Sequence, residues 1–470
     1  MCTRNGNIRA HIMTQDEDTN PSVPEQDTVS DTPAAAGLPG APVEVEEELR
    51  REGIDPDRLS IFHLGRPIEL LHYPRPPWIR RMGLGFVLWI LVIGLQRAGV
   101  VLSEWWVAGL ALLVGLIILQ GACEALVTAS ERLAARLQWN HYVAGTVAEI
   151  LSTLPELVVI AFVVPISPLT AFVIALITIY NNALVFSLYS YFLPKDKHGK
   201  FLMPKPITEA GTQILTAGAA MGLILGLVML AFSANPHPKT SFYTIDLIII
   251  SLILFAIFGV YVYKLVVNYA EEEQEVRETL ELSPEEVEQR LALVYKNVEM
   301  SPLPIIVLLL VVGVCGALIG GEQVAEFAQI AIKDLGLNDV LTALILAGFA
   351  GMSEYVILWK SHRKKEYGIA LANAFGGITQ VMFLVLPFTL LSIAIYQGFI
   401  TPDHPGLPIH FTLSNIFLLI FLFPTFFVLV ELIEEDHTLG ILDATIMTAI
   451  ILMLIMLLVT YGADGSAGAG

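Results

Sequence analysis

The sequence predicts an all-α polytopic membrane protein: about eleven transmembrane helices, one extra N-terminal helix followed by two inverted five-helix repeats. Three observations predict it. Of 470 residues, 55% are hydrophobic and 15% charged, with a mean hydropathy of +0.68. That is more apolar surface than one water-soluble core hides, and a soluble domain is roughly 25% charged. Long apolar segments recur along the chain, and the landmarks of the first half return in the second at a constant offset. Three cysteines cannot build a disulfide framework in a chain of this length.

Residues 1–60 are rich in Pro, Asp, Glu, Ser and Thr without apolar periodicity, and read as a disordered acidic tail. No charged start followed by an apolar stretch opens the chain, so no signal peptide is expected. The apolar segments run over about 83–101, 105–130, 142–164, 168–192, 208–233, 243–268, 303–331, 338–360, 367–396, 410–432 and 440–461. Each is long enough for a hydrocarbon core of roughly 30 Å. The helix at 83–101 stands alone, residues 105–268 form the first repeat and 303–461 the second. Between them lies 270–300, an acidic segment whose Ser283-Pro284-Glu285-Glu286 has the form of a helix start.

Of the net charge of −19, the tail carries −8 and the 270–300 linker −7. Such acidity argues against nucleic acid as a partner and leaves membrane lipid and cations. Basic residues precede the first helix (Arg80 and Arg81) and follow the second (Arg132 and Arg136), the fourth (Lys195, Lys197, Lys200 and Lys205) and the eighth (Lys360, Arg363, Lys364 and Lys365). All fall on one face if the tail is cytoplasmic, which places the C-terminus outside and favours a cell (inner) membrane.

Shifting the chain by 198 residues lays Glu124 on Glu322, Asn140 on Asn338, Glu156 on Glu354 and Asn182 on Gln380. Five helices per unit is an odd number, so the two copies lie in opposite orientation. Glu156 and Glu354 are expected near the middle of their helices, where a carboxylate costs a few kcal/mol unless it faces the protein interior with a proton or cation. Inverted symmetry brings the pair to the midplane. Two facing carboxylates hold a divalent cation or take up protons, and competition between the two is the chemistry of an antiporter. Pro155 precedes the first acid and frees a backbone carbonyl; Gly348 and Gly351 loosen the second copy. Asn181, Asn182, Thr379 and Gln380, one helix further on in each unit, add the amide and hydroxyl oxygens that hard cations need.

At these residues the chain resembles the calcium/cation antiporter superfamily. Ser152-Thr153-Leu154-Pro155-Glu156-Leu157 is similar to the Gly-Thr-Ser-x-Pro-Glu motif of sodium/calcium exchangers, with Leu151 where glycine is expected, and Gly121-Ala122 before Glu124 fits the start of the same repeat. Ala372-Asn373-Ala374-Phe375-Gly376-Gly377-Ile378-Thr379-Gln380, with Phe383 and Pro387, is similar to the Gly-Ser-Ser-Thr-Gln run of the cation/proton exchanger branch. The resemblance covers roughly 83–461. It implies Glu156 and Glu354 as cation-binding glutamates, with Ser152, Thr153, Asn182 and Gln380 as auxiliary oxygen ligands. Ala350 and Gly351 replace the hydroxyls of sodium-coupled members, and Ser353 the proline or alanine before the acid, which tilts the reading towards protons.

The expectation is therefore a secondary active antiporter exchanging Ca2+ for H+ by alternating access, not an enzyme, with no cofactor beyond the transported ions. Sodium/calcium exchange, or sodium or potassium for protons on the same fold, is the alternative; a channel and an intramembrane hydrolase are the more distant rivals. Glu149, two turns before Glu156, admits either a proton relay or a structural role. Glu124 and Glu322 are candidates for the ion path, and the linker is either a solvated helix or a cation-sensing element. Cys123 and Cys315 read as packing residues. His141, His198, His237 and His362 read as loop histidines without metal-ligand spacing.

Overall fold

A computed structural model of the chain describes residues 77–99, 103–137, 147, 150–203, 207–235, 241–279, 302–363, 367–401, 409 and 411–461. The acidic tail, most of the 270–300 linker, His141 and His237 lie outside them. The helices are α1 (Pro77–Arg97), α2 (Glu104–Leu137), α3 (Leu154–Val163), α4 (Pro168–Tyr189), α5 (Thr212–Ser233), α6 (Thr244–Thr279) and α7 (Leu303–Lys333). Then come α8 (Asp339–Ala350), α9 (Met352–Arg363), α10 (Tyr367–Gln380), α11 (Leu386–Ile395), α12 (Leu413–Ile420), α13 (Leu422–Glu434) and α14 (Ile441–Tyr461). Every expected apolar segment carries helix. Eight spans, among the described residues, are long and apolar enough to cross a membrane. The segments at 142–164 and 338–360 contain breaks, which is why they fall short as single helices.

The first break is Thr153. Pro155 has no N–H for the carbonyl of Leu151, so the chain turns there: the Thr153 N–H bonds the Ile150 carbonyl at 3.3 Å, and α3 starts afresh at Leu154. The second is Gly351, between α8 and α9. A π-helical turn, Val381–Val385, joins α10 to α11, whose Pro387 again lacks a donor.

The most extensive helix pair is α2 against α7, and small residues allow its close approach. A Cβ on Gly115 would lie 2.8 Å from the Gly320 carbonyl and 2.7 Å from Val324 Cγ2. A Cβ on Gly313 would lie 3.2 Å from the Ala122 carbonyl and 2.6 Å from Leu126 Cγ. Adding 198 converts 115, 122 and 126 into 313, 320 and 324, so the two sets of contacts are each other's counterparts under the offset read from the sequence. Helix α1 packs on α2 through Gly85 against Ile118 and Gly121 against Met82. Helix α4, capped by Ser167 Oγ on the Thr170 N–H at 3.1 Å, is buried along most of its length between α8, α10 and α14. It is the core of the bundle.

Two connections meet at one end. Phe201–Leu202 (β1) pairs antiparallel with Thr438–Leu439 (β2), and Lys200 forms an ion pair with Asp436. The α4–α5 and α13–α14 connections therefore lie at the same end of the bundle. His362 is not in a loop: it belongs to the last turn of α9, where its Nδ1 stands 3.3 Å from the Tyr189 hydroxyl and its ring meets Tyr367 edge-on. The helix of α9 simply continues through it to Arg363.

Candidate functional site

Neither glutamate stands in mid-helix as expected. Each lies in the first turn of the half-helix that follows a break, Glu156 in α3 and Glu354 in α9. The break makes the difference, because a restarted helix turns the positive end of its dipole to an acid in its first turn. This favours a carboxylate by about 0.3–1 kcal/mol, more where water is excluded.

Glu156 is 6% exposed, and its Oε2 has no hydrogen-bond partner among the described residues. It borders a cavity of about 50 Å³ lined by Gln120, Cys123, Pro155, Thr178 and apolar side chains of α2, α4, α7 and α8, enough for a few water-sized occupants. Before it, Thr153 donates from Oγ1 to Gln380 Oε1 at 2.6 Å, a buried bond across 227 residues that joins the first break to α10. Ser152 is buried too, and its carbonyl accepts a weak bond from Cys123 Sγ at 3.7 Å.

Asn182 is 1% exposed, and among the described residues neither Nδ2 nor Oδ1 has a partner. Its Oδ1 lies close over Gly351: a Cβ there would come within 3.2 Å of it and within 3.0 Å of the Tyr355 hydroxyl. Asn181 turns its Nδ2 to that hydroxyl and, at 3.4 Å, to the Ala347 carbonyl. The second acid, Glu354, is half-buried. Its carboxylate rests against Gly377 of α10, while its backbone carbonyl accepts from Asn373 Nδ2 at 3.3 Å.

Tyr355, the residue after Glu354, reaches across to α4, where its hydroxyl accepts from Asn181 Nδ2. Thr379 is buried and spends its hydroxyl on the Gly376 carbonyl at 3.0 Å. Glu124, with its side chain 14% exposed, forms an ion pair with Arg81 of α1. Glu322 is exposed on α7, beside a separate cavity lined by Trp89, Gln323 and Glu326. Glu149 lies outside the described residues.

The structure thus gathers Glu156, Glu354, Thr153, Asn181, Asn182 and Gln380 around two helix breaks, and sets Glu124 and Glu322 apart. Sequence reasoning gives no role of their own to Tyr355, Asn373 and Gly377. A signal for them exists: Tyr355 directly follows the acid, and 373, 377 and 380 share one helical face. Among the described residues no three His, Cys, Asp or Glu side chains cluster. A cation held here would take two carboxylates and complete its shell with amide, hydroxyl and carbonyl oxygens, the donor set of a hard ion.

The site is thus a pair of acids at paired helix breaks inside a polytopic helical bundle. Residues 305–463 match the family described as sodium/calcium exchanger protein. The fold is similar to that of "H+/Ca2+ Exchanger CAX", with a TM-score of 0.55 at 12% identity over 82% of this chain and 88% of that one. It is also similar to that of "native YfkE", with a TM-score of 0.50 at 15% identity over 79% and 98%. No curated protein matches the chain by sequence.

Proposed function

We propose that the chain is a secondary active antiporter that exchanges Ca2+ for H+ by alternating access, with Glu156 and Glu354 as the shared binding pair. The observation that carries this reading is Glu156 itself: a buried carboxylate with an unpartnered oxygen, at a helix break tied to the opposite half by Thr153 and Gln380. Such a group is stable as an acid or beside a cation, and switching between these states is what exchange requires. Deprotonated, the pair takes calcium with oxygens from Asn182, the Thr153 region and Gln380. Protonated, it releases calcium. The offset-related halves are read as inverted repeats that rock against each other at the glycine-lined α2–α7 contact, with the N-terminus cytoplasmic and the C-terminus outside.

Protons are preferred over sodium on chemical grounds, because Ala350 and Gly351 offer no hydroxyl at the second break for additional monovalent sites. Calcium flux into proteoliposomes under separately imposed pH and sodium gradients tests the reading. Acceleration by the pH gradient alone is the expected result. Acceleration by sodium alone replaces the coupling ion, and flux that never runs uphill removes the antiporter.

A further inference from the structure

We infer that Gly377 is a positioning residue: its missing side chain forms the seat of the Glu354 carboxylate and so sets where the second acid stands. The inference rests on the proposed function and deepens it. A Cβ at Gly377 would lie 2.5 Å from Glu354 Oε2, 2.8 Å from Oε1 and 2.8 Å from Cδ. Both oxygens and the carboxyl carbon are thus pressed on one Cα, and no side-chain atom fits between.

The neighbours on the same face of α10 give the seat its meaning. Asn373, four residues earlier, donates to the Glu354 backbone carbonyl at 3.3 Å. Gln380, three residues later, accepts from Thr153 at 2.6 Å, at the break that carries Glu156. One helical face therefore touches the chain at both acids, with Gly377 between the two anchors. Any group added there moves the Glu354 carboxylate relative to Glu156 while both anchors stay in place. Glycine at the other break does a different task, since Gly351 makes room for Tyr355 and Asn182.

The test uses the purified full chain and calcium-45 binding, with Gly377→Ala, Glu354→Asp, the two combined, and Gly259→Ala as a control whose Cβ meets nothing within 4 Å. Gly377→Ala is expected to weaken calcium binding about tenfold or more, since displacing a ligand by ~1 Å commonly costs that much. Aspartate is one methylene shorter and withdraws the carboxylate from the new methyl group, so the combined variant should bind calcium more tightly than Gly377→Ala. A merely structural glycine would show no such rescue. If Gly377→Ala does not fold, the combined variant is expected to restore both a monodisperse protein and binding. Unchanged affinity in Gly377→Ala, or losses that multiply in the combined variant, overturns the inference. If Glu156→Gln abolishes binding while Gly377→Ala is neutral, the proposed function stands and only the seat falls; a wild-type chain that binds no calcium removes both.

Discussion

Replacing Glu156 by Gln changes one oxygen for an NH2 at nearly constant volume, so packing around α3 is retained while the charge and the titratable proton are lost. Its magnitude follows from burial. With Glu156 at 6% exposure, water does not screen its interaction with a bound cation, so the figure for an exposed ion pair, about 0–1 kcal/mol, does not apply. Removing one partner of a buried ionic contact costs about 3–5 kcal/mol, or roughly two to three and a half orders of magnitude in calcium affinity. The unpartnered Oε2 adds specificity to the expectation, because Gln would place either a donor or a neutral oxygen there. Binding measured with calcium-45 and uptake into proteoliposomes under a pH gradient should both collapse, with reconstitution unchanged. Uptake within about twofold of wild type would refute the assignment of Glu156, since even the low end of that range predicts a far larger loss.

The bond between Thr153 and Gln380 should show coupling of about 1 kcal/mol in a double-mutant cycle of Thr153→Val and Gln380→Leu, read from calcium affinity; additive losses would detach it from the site. Gly115→Leu, which drives a side chain into the Gly320 carbonyl and Val324, should lower stability in detergent by about 1–3 kcal/mol, seen as an earlier thermal transition. In the α4–α5 connection, backbone N–H bonds, first from Lys200 and then from His198, hold the Asp196 carboxyl below the usual carboxylate range. A lowered folded pKa stabilises the loop above the unfolded value and loses that contribution as pH falls through the folded one. Amide exchange at His198 and Lys200 should therefore show less protection at acid pH, once corrected for the intrinsic rate, and Asp196→Asn should give the lower protection already at neutral pH.

What is legible in the sequence has local causes. Apolar runs long enough to cross a membrane name themselves, and every one of them carries helix. Pro155 announces a break because a missing N–H acts on its own turn, and the Glu156/Glu354 offset is visible because acids are rare in apolar segments. The position of the acids within their spans is less legible, because a continuous apolar run hides where the helix restarts: the break at Thr153 makes Glu156 a first-turn residue. Features that depend on approach between distant segments leave little trace. Arg81 reads as a charge flanking a span until it meets Glu124, and Gly377 reads as one small residue among several until α9 lays a carboxylate on it. The two kinds of information meet in α10. Its residues 373, 377 and 380 form a plain helical stripe in sequence, yet they acquire roles only because α9 and the first break arrive on that stripe from different parts of the chain. A single face contacting both acid-bearing breaks gives the two halves a common ruler, so a change in the packing of α10 alters the spacing of the carboxylates.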